Sequence, residues 1–211
     1  MKIDSIIFDV DGTLWNPADL VAEAWNGAAK KFSIPQEKPV TGESLKKLFG
    51  KPMDVFMMGV FPGLSEELQE QVYDFTANLE DEILATNKKD LLYPEVREVI
   101  ENLSKTYKLY IVSNCQCGYI ETFMRTHHLE EYFTDFECFG NTLLSKGENI
   151  KLVMERNQIR DAIYVGDTTG DFEAAMFAVL PFVYVTYGFG KVEGAWKTID
   201  SMKELEKILQ E

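Results

Sequence analysis

The sequence predicts an α/β fold: a parallel sheet covered by helices on both faces, with an all-helical insert after the first strand. Three observations carry that reading. Short apolar runs at 5–8, 109–112, 133–139, 162–165 and 182–185 end in small or polar residues, as buried strands do. Segments of helical periodicity lie between them at 94–104, 118–127, 148–157 and 171–178, and strands alternating with helices favour a parallel sheet. The stretch from Asn16 to about Lys89 breaks the alternation, because it holds no convincing strand and reads as a run of helices.

Taken in order, the first strand opens onto Asp9-Val10-Asp11-Gly12-Thr13. Asn16-Pro17 then supplies a helix cap and a proline at the first helical position. Leu20, Val21, Ala24, Trp25 and Ala28 follow at helical spacing. Thr41 and Ser65 are further cap candidates, and Pro52 and Phe61-Pro62-Gly63 are breaks. The chain returns through a linker at 86–93, then runs helix, strand, helix, strand, helix, strand, helix, strand to 185. This organisation predicts a core domain from residues 1–15 and 90–211 and a helical cap domain at 16–89. Ligands of parallel sheets sit beyond the carboxyl ends of the strands, so chemistry is expected there.

Charge narrows the function classes. The 211 residues carry 21 Lys+Arg against 35 Asp+Glu, a net charge of −14. Such an acidic chain is a poor partner for nucleic acid, whose binding draws on Lys and Arg, and for an anionic membrane. No apolar run approaches the ~18 residues of a membrane helix. Asp4 stands where a secretory leader would be apolar, and Cys115, Cys117 and Cys138 lack zinc-ligand spacing. A reduced, cytoplasmic protein is the expectation.

Four strand ends carry candidate chemistry. Asp9 and Asp11, two apart in an extended chain, point to the same side about 6.6 Å apart at ~3.3 Å per residue. Delivering both acids there is costly unless they bind a cation or react; the alternative is a plain Asp-Gly turn. Ser113, after Ile111-Val112, is placed to hold an anion beside a helix start, or simply to cap the helix. Lys146, just before a helix, reaches a phosphate as a point charge or is a solvated surface residue. Gly166-Asp167-Thr168-Thr169-Gly170-Asp171 repeats the pattern of an apolar run opening onto two acids, with helix capping the alternative for Asp171. Four carboxylates without imidazoles favour a hard ion such as Mg²⁺ over zinc, and Mg²⁺ with a lysine suits a phosphate dianion.

That order of acid pair, hydroxyl, lysine and acid pair resembles the haloacid dehalogenase-like (HAD) phosphohydrolases, of the phosphoglycolate phosphatase and β-phosphoglucomutase type with a helical cap inserted after the first motif. The likeness spans nearly the whole chain. The DxDGT motif falls on Asp9 to Thr13, the second motif on Ser113, the third on Lys146, and GDxxxD on Gly166, Asp167 and Asp171. The resemblance implies a Rossmann-like parallel sheet core with an inserted α-helical cap domain. It implies that Asp9 is the nucleophile, Asp11 the general acid/base, and Ser113 and Lys146 the holders of the transferring phosphoryl group. Gly12, Thr13 and Asn114 join Asp9, Asp11, Ser113 and Lys146 as substrate contacts. Mg²⁺ is implied at Asp9, the backbone carbonyl of Asp11, and Asp167, with Asp171 supporting directly or through water. The implied partner is a small phosphorylated metabolite.

The chain departs from its relatives in three places. Asn114-Cys115 follows the second-motif Ser, where many phosphoglycolate phosphatases have Lys. Pro94-Glu95 stands for a common Pro-Gly, and Ala178-Val179 for a common Ala-Gly. If the backbone at 179 needs a positive φ, valine strains it. Three other readings fit parts of the pattern. A sugar phosphomutase would use the same core. A dehalogenase would need neither Mg²⁺ nor Asp11. A non-catalytic phosphate-sensing protein would not need every motif filled. In the cap, Lys46, Lys47 and Lys51, with Met53, Phe56, Met57 and Phe61, are candidates to touch a leaving group, although the apolar four are better read as helix packing.

Overall fold

The computed structural model describes residues 3–210. In chain order the elements are β1 (Ser5–Phe8), α1 (Ala18–Lys31), α2 (Gly42–Leu45), α3 (Met53–Val60), α4 (Glu66–Thr86), α5 (Val96–Ser104), β2 (Lys108–Ser113) and α6 (Tyr119–His127). Then come β3 (Phe133–Cys138), α7 (Phe139–Thr142), α8 (Lys146–Arg156), β4 (Ala162–Gly166), α9 (Thr169–Phe177), β5 (Phe182–Val185), β6 (Lys197–Ile199) and α10 (Lys203–Ile208). The strands form one sheet in the order β3-β2-β1-β4-β5-β6, and each neighbouring pair runs parallel.

Alternation along the strands fills both faces. Ile6, Phe8, Leu109, Ile111, Ile163 and Val165 pack on one face with Val99, Ile100, Ile120, Phe123 and Leu205 from α5, α6 and α10. Ile7, Tyr110, Val112, Tyr164 and Phe182 pack on the other with Ile150, Val153, Ala174 and Ala175 from α8 and α9. Both faces being buried explains why the strands read as continuous apolar runs. The sixth strand, β6, went unread because Lys197-Thr198-Ile199 is short and mostly polar.

The insert buries a third apolar cluster, built from Val21, Trp25, Ala28, Leu45, Phe56, Met57, Phe61 and Val72. Its first helix begins one residue later than the sequence predicts, at Ala18, but Asn16 Oδ1 still accepts from the Ala18 N–H at 3.2 Å. Thr41 and Ser65 cap α2 and α4 as expected. The two linkers pair with each other: Asn16 N donates to Leu91 O at 2.9 Å and Tyr93 N to Leu14 O at 3.0 Å. That short antiparallel ribbon, with the Trp15–Leu92 bridge at its middle, is the covalent joint between insert and sheet. Among the described residues, no helix is long and apolar enough to cross a membrane.

Candidate active site

β1, β2 and β4 end side by side, so Asp9, Ser113 and Asp167 arrive at one edge of the sheet with no help from distant loops. Asp9 and Asp167 are completely or nearly completely buried. Lys146 is not the solvated residue that an acidic composition favours. It is the first residue of α8, is only 4 % exposed, and is fixed by the Ser145–Glu148 capping box around it. Its Nζ donates to Asp9 Oδ1 at 2.8 Å and to Asp171 Oδ1 at 2.6 Å.

Each carboxylate has a different environment. Asp171 is engaged on both oxygens: Oδ1 accepts from Lys146, and Oδ2 accepts from the backbone N–H groups of Asp167 and Thr168 and from Thr168 Oγ1. Asp167 Oδ2 accepts from Phe189 N at 2.6 Å, and its Oδ1 from Thr13 Oγ1 at 3.4 Å. Asp11 Oδ1 accepts both Trp15 Nε1 and Tyr119 OH at 2.8 Å. Asp9 is unlike them, because its Oδ2 is buried without any partner. Gly12, at φ 83, lets the loop turn over this cluster; a Cβ there would lie 2.3 Å from Asp167 Oδ2.

Burial lifts the Asp9 carboxyl to about 6, with Lys146 opposing and Asp171 adding to the rise. Asp11 is pushed up to about 7, by burial first and then by the Asp9 charge, against the hydrogen bonds from Tyr119 and Trp15. Asp167 is held well above the carboxylate range by burial and by Asp171 and Asp9. Burial lowers the Lys146 pKa, but the charges of Asp171 and Asp9 outweigh it, so the ammonium is retained. One cation among these acids leaves negative charge uncompensated. Oxygens of Asp9, Asp167 and Asp171 lie within 4.8 Å of one another. The all-oxygen donor set and the orphaned Asp9 Oδ2 fit a small hard cation such as Mg²⁺.

A narrow cavity of about 30 Å³ lies above Asp9 and Asp11, walled on the far side by the insert. Ser113 and Asn114 line it from the sheet, and Trp25, Phe49, Lys51, Met53 and Phe56 from the insert. Of the three candidate lysines only Lys51 reaches the cavity lining, while Lys46 pairs with Glu43 at 2.6 Å. Phe56 both packs the insert core and lines the cavity; Met57 and Phe61 pack the core. Asn114 Nδ2 donates to Gly50 O at 2.8 Å and so ties β2's exit to the insert.

Sequence reasoning missed Trp15 and Tyr119, which hold Asp11, and the loop carrying Phe189, which holds Asp167. Nothing local in the sequence marks these residues, because only the fold brings their polar atoms to the acids. Glu80, buried in the cavity wall, was also missed. Its signal was present, since Val72, Thr76, Glu80 and Leu84 form a four-residue stripe on the buried face of α4 and two of them are polar.

Comparison with known proteins shows what the chain is similar to. Residues 6–185 match the family model described as haloacid dehalogenase-like hydrolase. The phosphoglycolate phosphatase of Vibrio vulnificus (strain CMCP6) is 27% identical over 203 residues, covering 91% of this chain and 87% of that protein. The phosphoglycolate phosphatase of Synechococcus elongatus is 28% identical over 194 residues, covering 89% and 85%. The crystal structure of a predicted phosphatase from Clostridium acetobutylicum superposes with a TM-score of 0.83 at 25% identity, over 100% of both chains.

Proposed function

Because this chain belongs to the haloacid dehalogenase-like hydrolase family, we propose that it is a Mg²⁺-dependent phosphatase that hydrolyses a small phosphorylated metabolite through an aspartyl phosphate on Asp9. The observation that carries the reading is the state of Asp9, with one oxygen held by Lys146, the other buried and unpartnered, and its carboxylate clustered with those of Asp167 and Asp171. A carboxylate so arranged is oriented by one atom and left reactive at the other.

Asp9, Asp167 and the backbone carbonyl of Asp11 would hold Mg²⁺, which would supply positive charge between the Asp9 carboxylate and a phosphate dianion. The Asp9 carboxylate attacks phosphorus as the bond to the leaving oxygen breaks. Asp11, fixed on Oδ1 by Trp15 and Tyr119, gives that oxygen its proton from Oδ2. Asp11 then takes a proton from the water that attacks the same phosphorus and frees Asp9. Lys146 and Ser113 neutralise charge on the transferring oxygens. Asp171, with both its oxygens engaged, acts by holding Lys146 and the turn at Asp167–Thr168. The cap, residues 16–89, closes the cavity and excludes bulk water.

The test separates the two acids of the first motif. Wild-type protein should hydrolyse p-nitrophenyl phosphate with Mg²⁺ and lose that activity in excess EDTA. Asp9→Asn should be inactive. Asp11→Asn should lose about 10²–10⁴-fold in turnover yet show a burst with an activated aryl phosphate and accumulate one base-labile phosphoryl group on Asp9 by intact-mass and peptide mapping. An adduct on Ser113, or one formed equally in Asp9→Asn, would refute the mechanism.

A further inference from the structure

The cavity wall opposite Asp9 contains a carboxyl that the hydrolysis does not use. Glu80, on α4, is 5 % exposed and lines the cavity together with Asp11 and Tyr119. Its one hydrogen bond comes from the Gln116 amide, Nε2 to Oε1 at 3.0 Å, and it has no ion pair among the described residues. Burial pushes its carboxyl up to about 8, the Gln116 bond opposes, and the charges of Asp11 and Asp81 add to the rise. Beside Glu80 the cavity continues into a recess of about 10 Å³, room for one water-sized group, between Trp25, Met53, Tyr73 and Thr76. Thr76 lies one turn before Glu80 on the same helix face, is 2 % exposed, and its Oγ1 has no hydrogen-bond partner. Two buried polar groups therefore border one recess, one lacking a counter-ion and the other lacking any partner. Leaving such groups unmatched is costly unless something that enters satisfies them.

We propose that Glu80 and Thr76 form a leaving-group subsite for an ammonium, so that the preferred substrates are phosphate esters of amino alcohols. This deepens the phosphatase reading and rests on it. An ammonium meets both groups, because its positive charge favours the ionised form of the Glu80 carboxyl and its N–H groups donate to that carboxylate and to Thr76 Oγ1. The walls suit it as well, since the recess is lined by the aromatic residues Trp25 and Tyr73, a ring type that attracts cations. The surrounding field has the matching sign, because Asp11 and Asp81 both act on Glu80. Lys51 also lines the cavity, but it is exposed to solvent, which screens its charge. A carboxylate leaving group, such as that of phosphoglycolate, would meet the acid wall and be disfavoured.

The experiment compares kcat/KM with Mg²⁺ for esters matched in length: 2-aminoethyl, 3-aminopropyl and 4-aminobutyl phosphates, their hydroxyl counterparts, and carboxymethyl phosphate. The amine should exceed the hydroxyl analogue of its length about tenfold or more at the best length, as expected for a hydrogen bond to a charged group, and carboxymethyl phosphate should rank last. Glu80→Gln should bring the amine-to-hydroxyl ratio close to one, and Thr76→Val should lower it by a smaller factor. Equal rates for amine and hydroxyl esters in wild type, or a preference for carboxymethyl phosphate that Lys51→Ala abolishes, would overturn the subsite while leaving the phosphatase standing. An amine preference that survives in Glu80→Gln would overturn the role of Glu80. Absence of Mg²⁺-dependent hydrolysis of p-nitrophenyl phosphate would overturn both readings.

Discussion

Among the described residues six non-glycine residues, Val179 and Glu95 among them, stand at positive φ, where glycine is the low-energy occupant. α9 ends with Val179 N bonded to Met176 O at 3.1 Å and Leu180 N to Ala175 O at 2.9 Å, the paired bonds of a helix end that turns through a left-handed residue. That residue is Val179, at φ 60, so the strain anticipated from the Ala178-Val179 pair is present. Glu95, preceding α5, sits likewise at φ 66. Branching at Cβ makes the left-handed region worse for valine than for glutamate. Val179 is also 84 % exposed, so its side chain contributes little packing in return. Val179→Gly should therefore stabilise the protein by about 1 kcal/mol, a rise of about 2–4 °C in Tm for a chain of this size. Glu95→Gly should raise it less. Calorimetric melts of both variants in EDTA check the order, and a fall in Tm for Val179→Gly would contradict it.

Single helices carry the site's electrostatics. α8 delivers Lys146 at its first residue, and at its last Arg156 pairs with Asp135 and Glu137 of β3 at 2.6 Å each, so the helix is pinned at both ends. Replacing Lys146 by Met leaves Asp9 and Asp171 buried without their cation. Breaking such a pair typically costs about 3–5 kcal/mol, and urea melts of Lys146→Met in EDTA should show a loss of that order, partly recovered with Mg²⁺. α6 supports the other acid. Trp15, which donates to Asp11, packs against Tyr119, Phe123 and His127 of α6 with centroids 5.7, 5.0 and 5.4 Å away. His127 is buried, its Nε2 lacks a partner, and its Nδ1 is 3.4 Å from Asp90 Oδ1. Burial lowers its pKa below 6.5, Asp90 opposes, and Arg97 and His128 lower it further. The unfolded chain then takes up the proton first, so the stability held above pH 6.5 is lost as pH falls through that value toward the folded pKa. Urea melts between pH 7.5 and 5.5 should show the stability of His127→Gln rising relative to wild type as pH falls, whatever the carboxyl groups common to both proteins contribute.

At the scale of the whole molecule, what the sequence discloses is what is local in it. The five longer strands, the helical insert and the acids at the strand exits were legible because buried parallel strands are apolar runs and their chemistry follows within a few residues. Lys146 was legible only through its place in the order of motifs, since nothing near it in sequence reveals that α8 brings it to Asp9, 137 residues away. Contacts across the interface between insert and core were the least legible, because they join segments by single atoms or rings. Asn114 bonds Gly50 O at 2.8 Å, Gln116 bonds Glu80 at 3.0 Å, Thr122 bonds Asp81, and Phe49 lies 4.9 Å from Phe189. These contacts enclose the cavity, so a ligand that fills it must enter while they are parted, and they must re-form for the insert to exclude water. Phe189 tests this cleanly, because its backbone N–H holds Asp167 whatever its side chain, while its ring belongs to the interface. Phe189→Ala should favour the parted arrangement by about the worth of one aromatic pair, ~1 kcal/mol, or about fivefold in the closing equilibrium. KM should rise by about that factor, while kcat at saturation falls less, since bound substrate restores closure. Steady-state kinetics with an aryl phosphate read both constants; a large loss of kcat at unchanged KM would mean that the ring acts on Asp167 and not on the closure of the insert.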